Sequence, residues 1–120
     1  MIRIITTVFF SWLLFSISAL AAEADVVAVK VTQLEGNQYR IDVTVKHADT
    51  GWDHYANAWQ VLDEKGKVIG ERVLYHPHVD EQPFTRSLTL KIPTGVKKIT
   101  IRAKDSVHEF GGIEKTVTLD

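Results

Sequence analysis

Cysteine is absent from the 120 residues, and the only methionine is Met1. No disulfide can staple this fold, and beyond Met1 no sulfur can bind a metal. The chain also offers no thiol for N-terminal lipid attachment. Proline is scarce, with 3 residues. Two of them, Pro77 and Pro83, fall in one segment. Charge of one sign is lacking too: 14 Lys and Arg stand against 15 Asp and Glu, interspersed along the chain. Such a balance gives no electrostatic footprint for nucleic acid or anionic lipid.

Catalytic frames are missing as well. There is no glycine-rich phosphate loop. Thr85, Ser87 and Ser106 lie near histidines, but no Gly-x-Ser-x-Gly elbow surrounds them. Asp80 and Glu81 are adjacent, so an extended chain turns them to opposite faces rather than into a facing acid/base pair. The expectation from these absences is that the chain is not an enzyme.

What is present begins with an apolar run. Arg3 supplies a short basic start, Ile4 to Leu20 is almost continuously apolar, and small residues follow at Ala21 and Ala22. This pattern predicts a signal peptide over residues 1–22, with Ala24 as an alternative boundary. An uncleaved membrane helix is the competing reading, since the run is about long enough to span. Against it, small residues end the run and no basic stop-transfer cluster follows. The expected location is therefore periplasmic or secreted, with the membrane met only during export. Residues 23–120 are then one domain of ordinary size.

From Asp25 onward the apolar period is two, the strand signature, and no helical period occurs. Val27, Val29 and Val31 suggest a first strand. Tyr39, Ile41, Val43 and Val45 form the clearest one, and His47 continues their inward parity to the mouth of the core. Ala56 to Leu62 reads as a third strand, with Trp59 in the core. Lys67 to Tyr75 reads as a fourth, where Gly70 suggests a bulge or an edge. Leu88, Leu90 and Ile92 mark a fifth, Ile99, Ile101 and Ala103 a sixth, and Ile113, Val117 and Leu119 a seventh. The prediction is an all-β, seven-stranded antiparallel sandwich.

The segment from Ile99 to Leu119 resembles the last hairpin of immunoglobulin-like and fibronectin type III-like domains. An alternating strand ends in Ala103-x-Asp105, and a glycine-containing loop and a second strand follow. The resemblance implies an immunoglobulin-like sandwich over residues 23–120 and no particular activity.

If successive strands run antiparallel, connections alternate between two ends. Glu35, Asp63 and Pro93 begin plain turns at one end. The other end collects the loops around Trp52, Pro77 and His108, and with them all five histidines: His47, His54, His76, His78 and His108. Loops on a rigid scaffold are the usual seat of function.

Three readings of this end stand side by side. In the first, the five histidines are candidate metal ligands. Pro77 biases His76 toward extended backbone, so His76 and His78 share one side of the chain. His54 and either His47 or His108 complete a nitrogen-rich set, and Asp53, Asp80 or Glu81 supply oxygen or orient the rings. Such ligands suit a divalent transition metal: Zn²⁺, Cu²⁺ or Ni²⁺. The arrangement resembles superoxide reductases, which carry histidines at one end of an immunoglobulin-like sandwich. Their iron also takes a cysteine ligand, which this chain lacks, so the resemblance does not bring that activity with it.

In the second reading the histidines only order the loops, with Arg86 paired to Asp80 or Glu81. In the third the end recognises a small ligand or a cell-envelope protein through Trp52, Asp53, Tyr55, Asp80, Glu81, Phe84, Arg86 and Phe110. The aromatics can equally cap the core. The blocks Gly51 to Trp59 (GWDHYANAW) and Leu74 to Ser87 (LYHPHVDEQPFTRS) resemble those of small secreted bacterial proteins, a likeness that implies export and supplies no catalytic residue.

Overall fold

The computed structural model describes residues 23–119, so the expected signal peptide, residues 1–22, lies outside the described residues. Seven strands form: β1 (Asp25–Gln33), β2 (Gln38–Lys46), β3 (Ala56–Leu62), β4 (Val68–Val73), β5 (Phe84–Lys91), β6 (Lys98–Asp105) and β7 (Lys115–Thr118). No helix occurs among the described residues. The strands divide into a three-stranded sheet, β1-β2-β5, and a four-stranded sheet, β4-β3-β6-β7. Every pairing is antiparallel.

The period-two pattern explains the division. On β2, Ile41, Val43 and Val45 are fully buried, as are Ile99 and Ile101 on β6. These rows meet between the sheets around Trp59 and Phe84, the two largest fully buried side chains. Each buried side chain of this size contributes about 1.5–3 kcal/mol of transfer free energy. That packing does the work that disulfides do in many exported domains of this size.

Three sequence expectations shift. The β1–β2 register breaks between Val26 and Ala28. Val26 therefore takes the inward place and Val27 turns out to 39% exposure, so Val27 does not share a face with Val29 and Val31. Next, β4 is shorter than Lys67 to Tyr75, and its register with β3 slips between Val61 and Leu62. Gly70 lies beside that slip on an edge strand, where a Cβ would stand 2.7 Å from Leu90 Cδ1 and 3.2 Å from Leu88 Cδ2. The missing side chain lets the β5 leucines of the other sheet come in. Finally, Ile113 precedes β7 and is exposed.

Register also fixes the ends. Asp25 pairs with Lys46, Val45 with Phe84, and Ala56 with Asp105. The loops after β2, β4 and β6 thus emerge at one end of the two sheets, as parity predicts.

Candidate metal centre

Two polar residues interrupt the core at this end, and both lie on its inward rows. His47 follows Ile41, Val43 and Val45 one residue past β2. Asp105 follows Ile99, Ile101 and Ala103 as the last residue of β6. Both side chains are completely shielded from solvent, and His47 Nε2 lies 3.0 Å from Asp105 Oδ2. Side chains of the two sheets thus meet through an imidazole and a carboxylate.

Two further rings converge on the same oxygen. The β2–β3 loop doubles back at residues 50–54, where Thr50 N–H donates to the His54 carbonyl at 3.0 Å and His54 N–H to the Gly51 carbonyl at 3.2 Å. This turn lifts Trp52 into solvent and returns His54, whose Nε2 lies 2.8 Å from Asp105 Oδ2. After β6 the chain caps itself: Asp105 Oδ1 accepts the backbone N–H of Val107 at 3.0 Å and that of His108. The cap curls His108 inward, placing its Nδ1 3.0 Å from Asp105 Oδ2. Three imidazole nitrogens from three segments therefore surround one carboxylate oxygen. The ligand atoms of His47, His54 and Asp105 all lie within 4.8 Å of one another.

Burial is graded across the cluster. His47 and Asp105 have no exposed side-chain surface, whereas His54 keeps 20% and His108 35%. The convergent atoms thus have a closed floor and a solvent-facing side. Burial alone would raise the Asp105 pKa; the ring and backbone N–H of His108, with the rings of His54 and His47, outweigh it and hold this carboxyl well below the usual range.

Behind His47 stands Asp49, also without exposed side-chain surface, whose Oδ1 is 2.6 Å from His47 Nδ1. Asp49 Oδ1 further accepts the Ala56 N–H at 3.1 Å, and its Oδ2 the His78 N–H at 2.7 Å. Gln82 completes the tie, accepting from His47 N–H at 2.9 Å and donating to the His78 carbonyl at 3.0 Å.

The remaining candidates are elsewhere. His78 is buried, stacked on Phe84 with ring centroids 4.0 Å apart, and its Nε2 accepts from Arg86 Nη2 at 3.0 Å. Its Nδ1 is buried without a partner among the described residues. Burial, then the charges of Arg86 and His76, push the His78 pKa down. With Arg86 on the accepting Nε2 and Nδ1 buried, His78 is a poor ligand. His76 is exposed, its ring centroid 4.8 Å from that of His78. The structure therefore does not bring His76 and His78 into the cluster.

Arg86 also binds Glu81 at 3.2 Å, while Asp53 and Asp80 are exposed. Trp52 meets Tyr55 edge-on at 5.5 Å. Phe110 lies under Arg102, 3.9 Å from guanidinium to ring centroid, so it does not join them. A cavity of about 400 Å³ at this end is lined by Glu23, Asp25, Lys46, His47, Ala48 and Gln82. It takes in only His47 of the cluster.

Sequence reasoning did not select Asp105 or Asp49. Asp105 had a readable signal, a carboxylate on the inward parity of Ile99, Ile101 and Ala103. Asp49 had none, because irregular backbone carries no parity.

His47, His54 and Asp105 form a donor set that could hold a metal ion. Each histidine contact to Asp105 Oδ2 places a proton between two atoms that can both bind a metal once that proton leaves. Imidazoles with a carboxylate make a nitrogen/oxygen donor set without sulfur.

No family model matches the chain. A candidate lipoprotein of Halomicrobium mukohataei is 40% identical over 90 residues. The match takes in 75% of this chain and 44% of that protein, so the chain spans less than half of its relative's length. Among solved structures, a hypothetical protein of Pyrococcus horikoshii OT3 superposes with a TM-score of 0.55 at 18% identity, over 82% of this chain and 89% of that one. A superoxide reductase (neelaredoxin) of Ignicoccus hospitalis gives a TM-score of 0.56 at 12% identity, over 88% and 86%. At these identities the likeness is one of fold. It corrects the expectation that the chain is not an enzyme, because a reductase is among the proteins built this way. The absence of a nucleophile frame does not exclude an enzyme, since metal-dependent catalysis needs none.

Proposed function

We propose that this chain is an exported domain that holds a divalent transition metal through His47, His54, His108 and Asp105, with one side left open to a small ligand. The observation that carries the reading is the convergence of three imidazole nitrogens on Asp105 Oδ2 at 2.8 to 3.0 Å. Structural metal sites are closed, whereas catalytic ones keep an open position. The exposed edges of His54 and His108 support the second type. An ion held there supplies Lewis acidity toward a small ligand. The residues do the rest: His47 and Asp105 anchor from the core, and His54 and His108 form the rim.

Export is supported by the apolar run from Ile4 to Leu20 and by the candidate lipoprotein as a relative. The split into three and four antiparallel strands supports an immunoglobulin-like sandwich as the scaffold. A small ligand or a cell-envelope protein is the partner this reading expects.

The reading is tested by elemental analysis of protein purified untagged from its native compartment. About one equivalent of a transition metal is expected, and a folded protein carrying none contradicts it. One observation favours a second reading, in which the cluster orders the loops and Trp52 and Tyr55 recognise the ligand. Asp105 and Asp49 already give the rings of His47, His54 and His108 carboxylate partners. On that reading Trp52→Ala abolishes ligand binding; on the metal reading it leaves metal uptake unchanged.

A further inference from the structure

We propose that Asp49 is the positioning residue of this centre: it holds His47 with the proton on Nδ1, which leaves Nε2 for the ion, and it ties the loop after β4 to that ring. The inference rests on the metal reading and assigns a role to a residue that is not itself a ligand.

The geometry is specific. Asp49 is buried, so its carboxylate must find its partners within the protein. Oδ1 faces His47 Nδ1 at 2.6 Å and the Ala56 N–H at 3.1 Å, and Oδ2 faces the His78 N–H at 2.7 Å. The two backbone groups can only donate, so Asp49 serves as acceptor on both oxygens. His47 Nδ1 must then donate as well. Once the proton between Nε2 and Asp105 leaves, an imidazole that still donates from Nδ1 presents its lone pair at Nε2. That atom points to Asp105 Oδ2, where the other two rings converge. Carboxylates that orient a metal-bound histidine in this way commonly matter 10–100-fold for affinity.

The same carboxylate explains the loop that stands out most in the sequence. His78 offers Asp49 its backbone N–H rather than its ring, and the ring is locked between Phe84 and Arg86. Gln82 holds both His47 N–H and the His78 carbonyl. The segment from His76 to Arg86 thus supports the centre from behind, through Asp49, instead of donating ligands to it.

Asp49→Asn separates this role from mere space-filling. An asparagine has one acceptor and one donor end. With its oxygen toward His47, its NH₂ opposes the His78 N–H. Turned over, its NH₂ donates to His47 Nδ1 and drives the proton onto Nε2, where it blocks the ion.

The test uses the full mature chain and two readouts. The first is ¹⁵N NMR of the His47 ring in wild type, which needs no variant. A protonated Nδ1 is expected in the metal-free protein, and an unprotonated Nδ1 overturns the proposal. The second is titration of Zn²⁺ into wild type and Asp49→Asn, with circular dichroism to establish that the variant folds. A loss of 10-fold or more in affinity by a folded variant supports the proposal. Equal affinity overturns it. If wild type takes up no Zn²⁺ while Nδ1 is protonated, the metal reading falls and the orienting role of Asp49 stands.

Discussion

His47 Nε2 and Asp105 Oδ2 lie 3.0 Å apart with both side chains sealed from solvent, a buried polar joint between the two sheets. One ends the inward row of the β2 strand and the other that of β6. Removing Asp105 leaves the buried His47 Nε2 without its partner, and a buried polar group left unpaired costs roughly 1–3 kcal/mol. Asp105→Ala should therefore lower the urea midpoint of the metal-free protein by a corresponding amount, read by circular dichroism. An unchanged midpoint would mean the pairing is not made.

Acid should reveal the same residue. The folded pKa of Asp105 is depressed, so the group contributes stability above its unfolded value near 3.9, and this is lost as pH falls through the lower folded value. The metal-free wild type should keep the contribution down to about pH 4 and lose it below. Asp105→Asn should be less stable than wild type at pH 6, and the gap should narrow toward pH 2. A gap that is constant with pH is the contrary result.

His78 gives the opposite kind of group, a base disfavoured in its charged form. Its folded pKa is lowered, first by burial and then by Arg86 and His76. The unfolded chain therefore takes up a proton more readily below about pH 6.5, and stability falls as pH drops through that value. His78→Gln should show a shallower loss of thermal stability between pH 7.5 and pH 5.5 than wild type. Parallel curves would remove His78 from the account.

At Gly70 the fold can be perturbed through the contact between β4 and β5, whose strand pairings place it outside the cluster. A methyl group there meets Leu90 Cδ1 at 2.7 Å, a crowding that costs about 1–3 kcal/mol. Gly70→Ala should lower the melting temperature and leave Zn²⁺ affinity within twofold of wild type. A large loss of affinity would show that the site depends on sheet packing at long range.

Much of this was legible in the period-two pattern, because burying one face makes parity a strong constraint. It placed His47, His54 and His108 at one end and marked His47 as inward. What parity cannot see is irregular backbone. The register break between Val26 and Ala28 exchanges Val26 for Val27, and no residue type there announces it. The His76-Pro77-His78 segment drew attention for its composition, yet Arg86 and Phe84 occupy the His78 ring. The pairing of Arg86 with Glu81, by contrast, follows from opposite charges five residues apart in a confined loop. Asp105 was hidden by its ordinary place in a strand-ending motif. Its role comes from what three other segments bring to it.

On the proposed function, His47, His54, His108 and Asp105 together hold a divalent metal. Calorimetric titration of Zn²⁺ into metal-free wild type, His54→Ala, Asp105→Asn and His76→Ala tests it most directly. The account predicts one equivalent bound by wild type and His76→Ala, and binding weakened by 10-fold or more in folded His54→Ala and Asp105→Asn. Wild type that is folded and takes up no Zn²⁺, Cu²⁺ or Ni²⁺, or uptake lost only with His76, would contradict it.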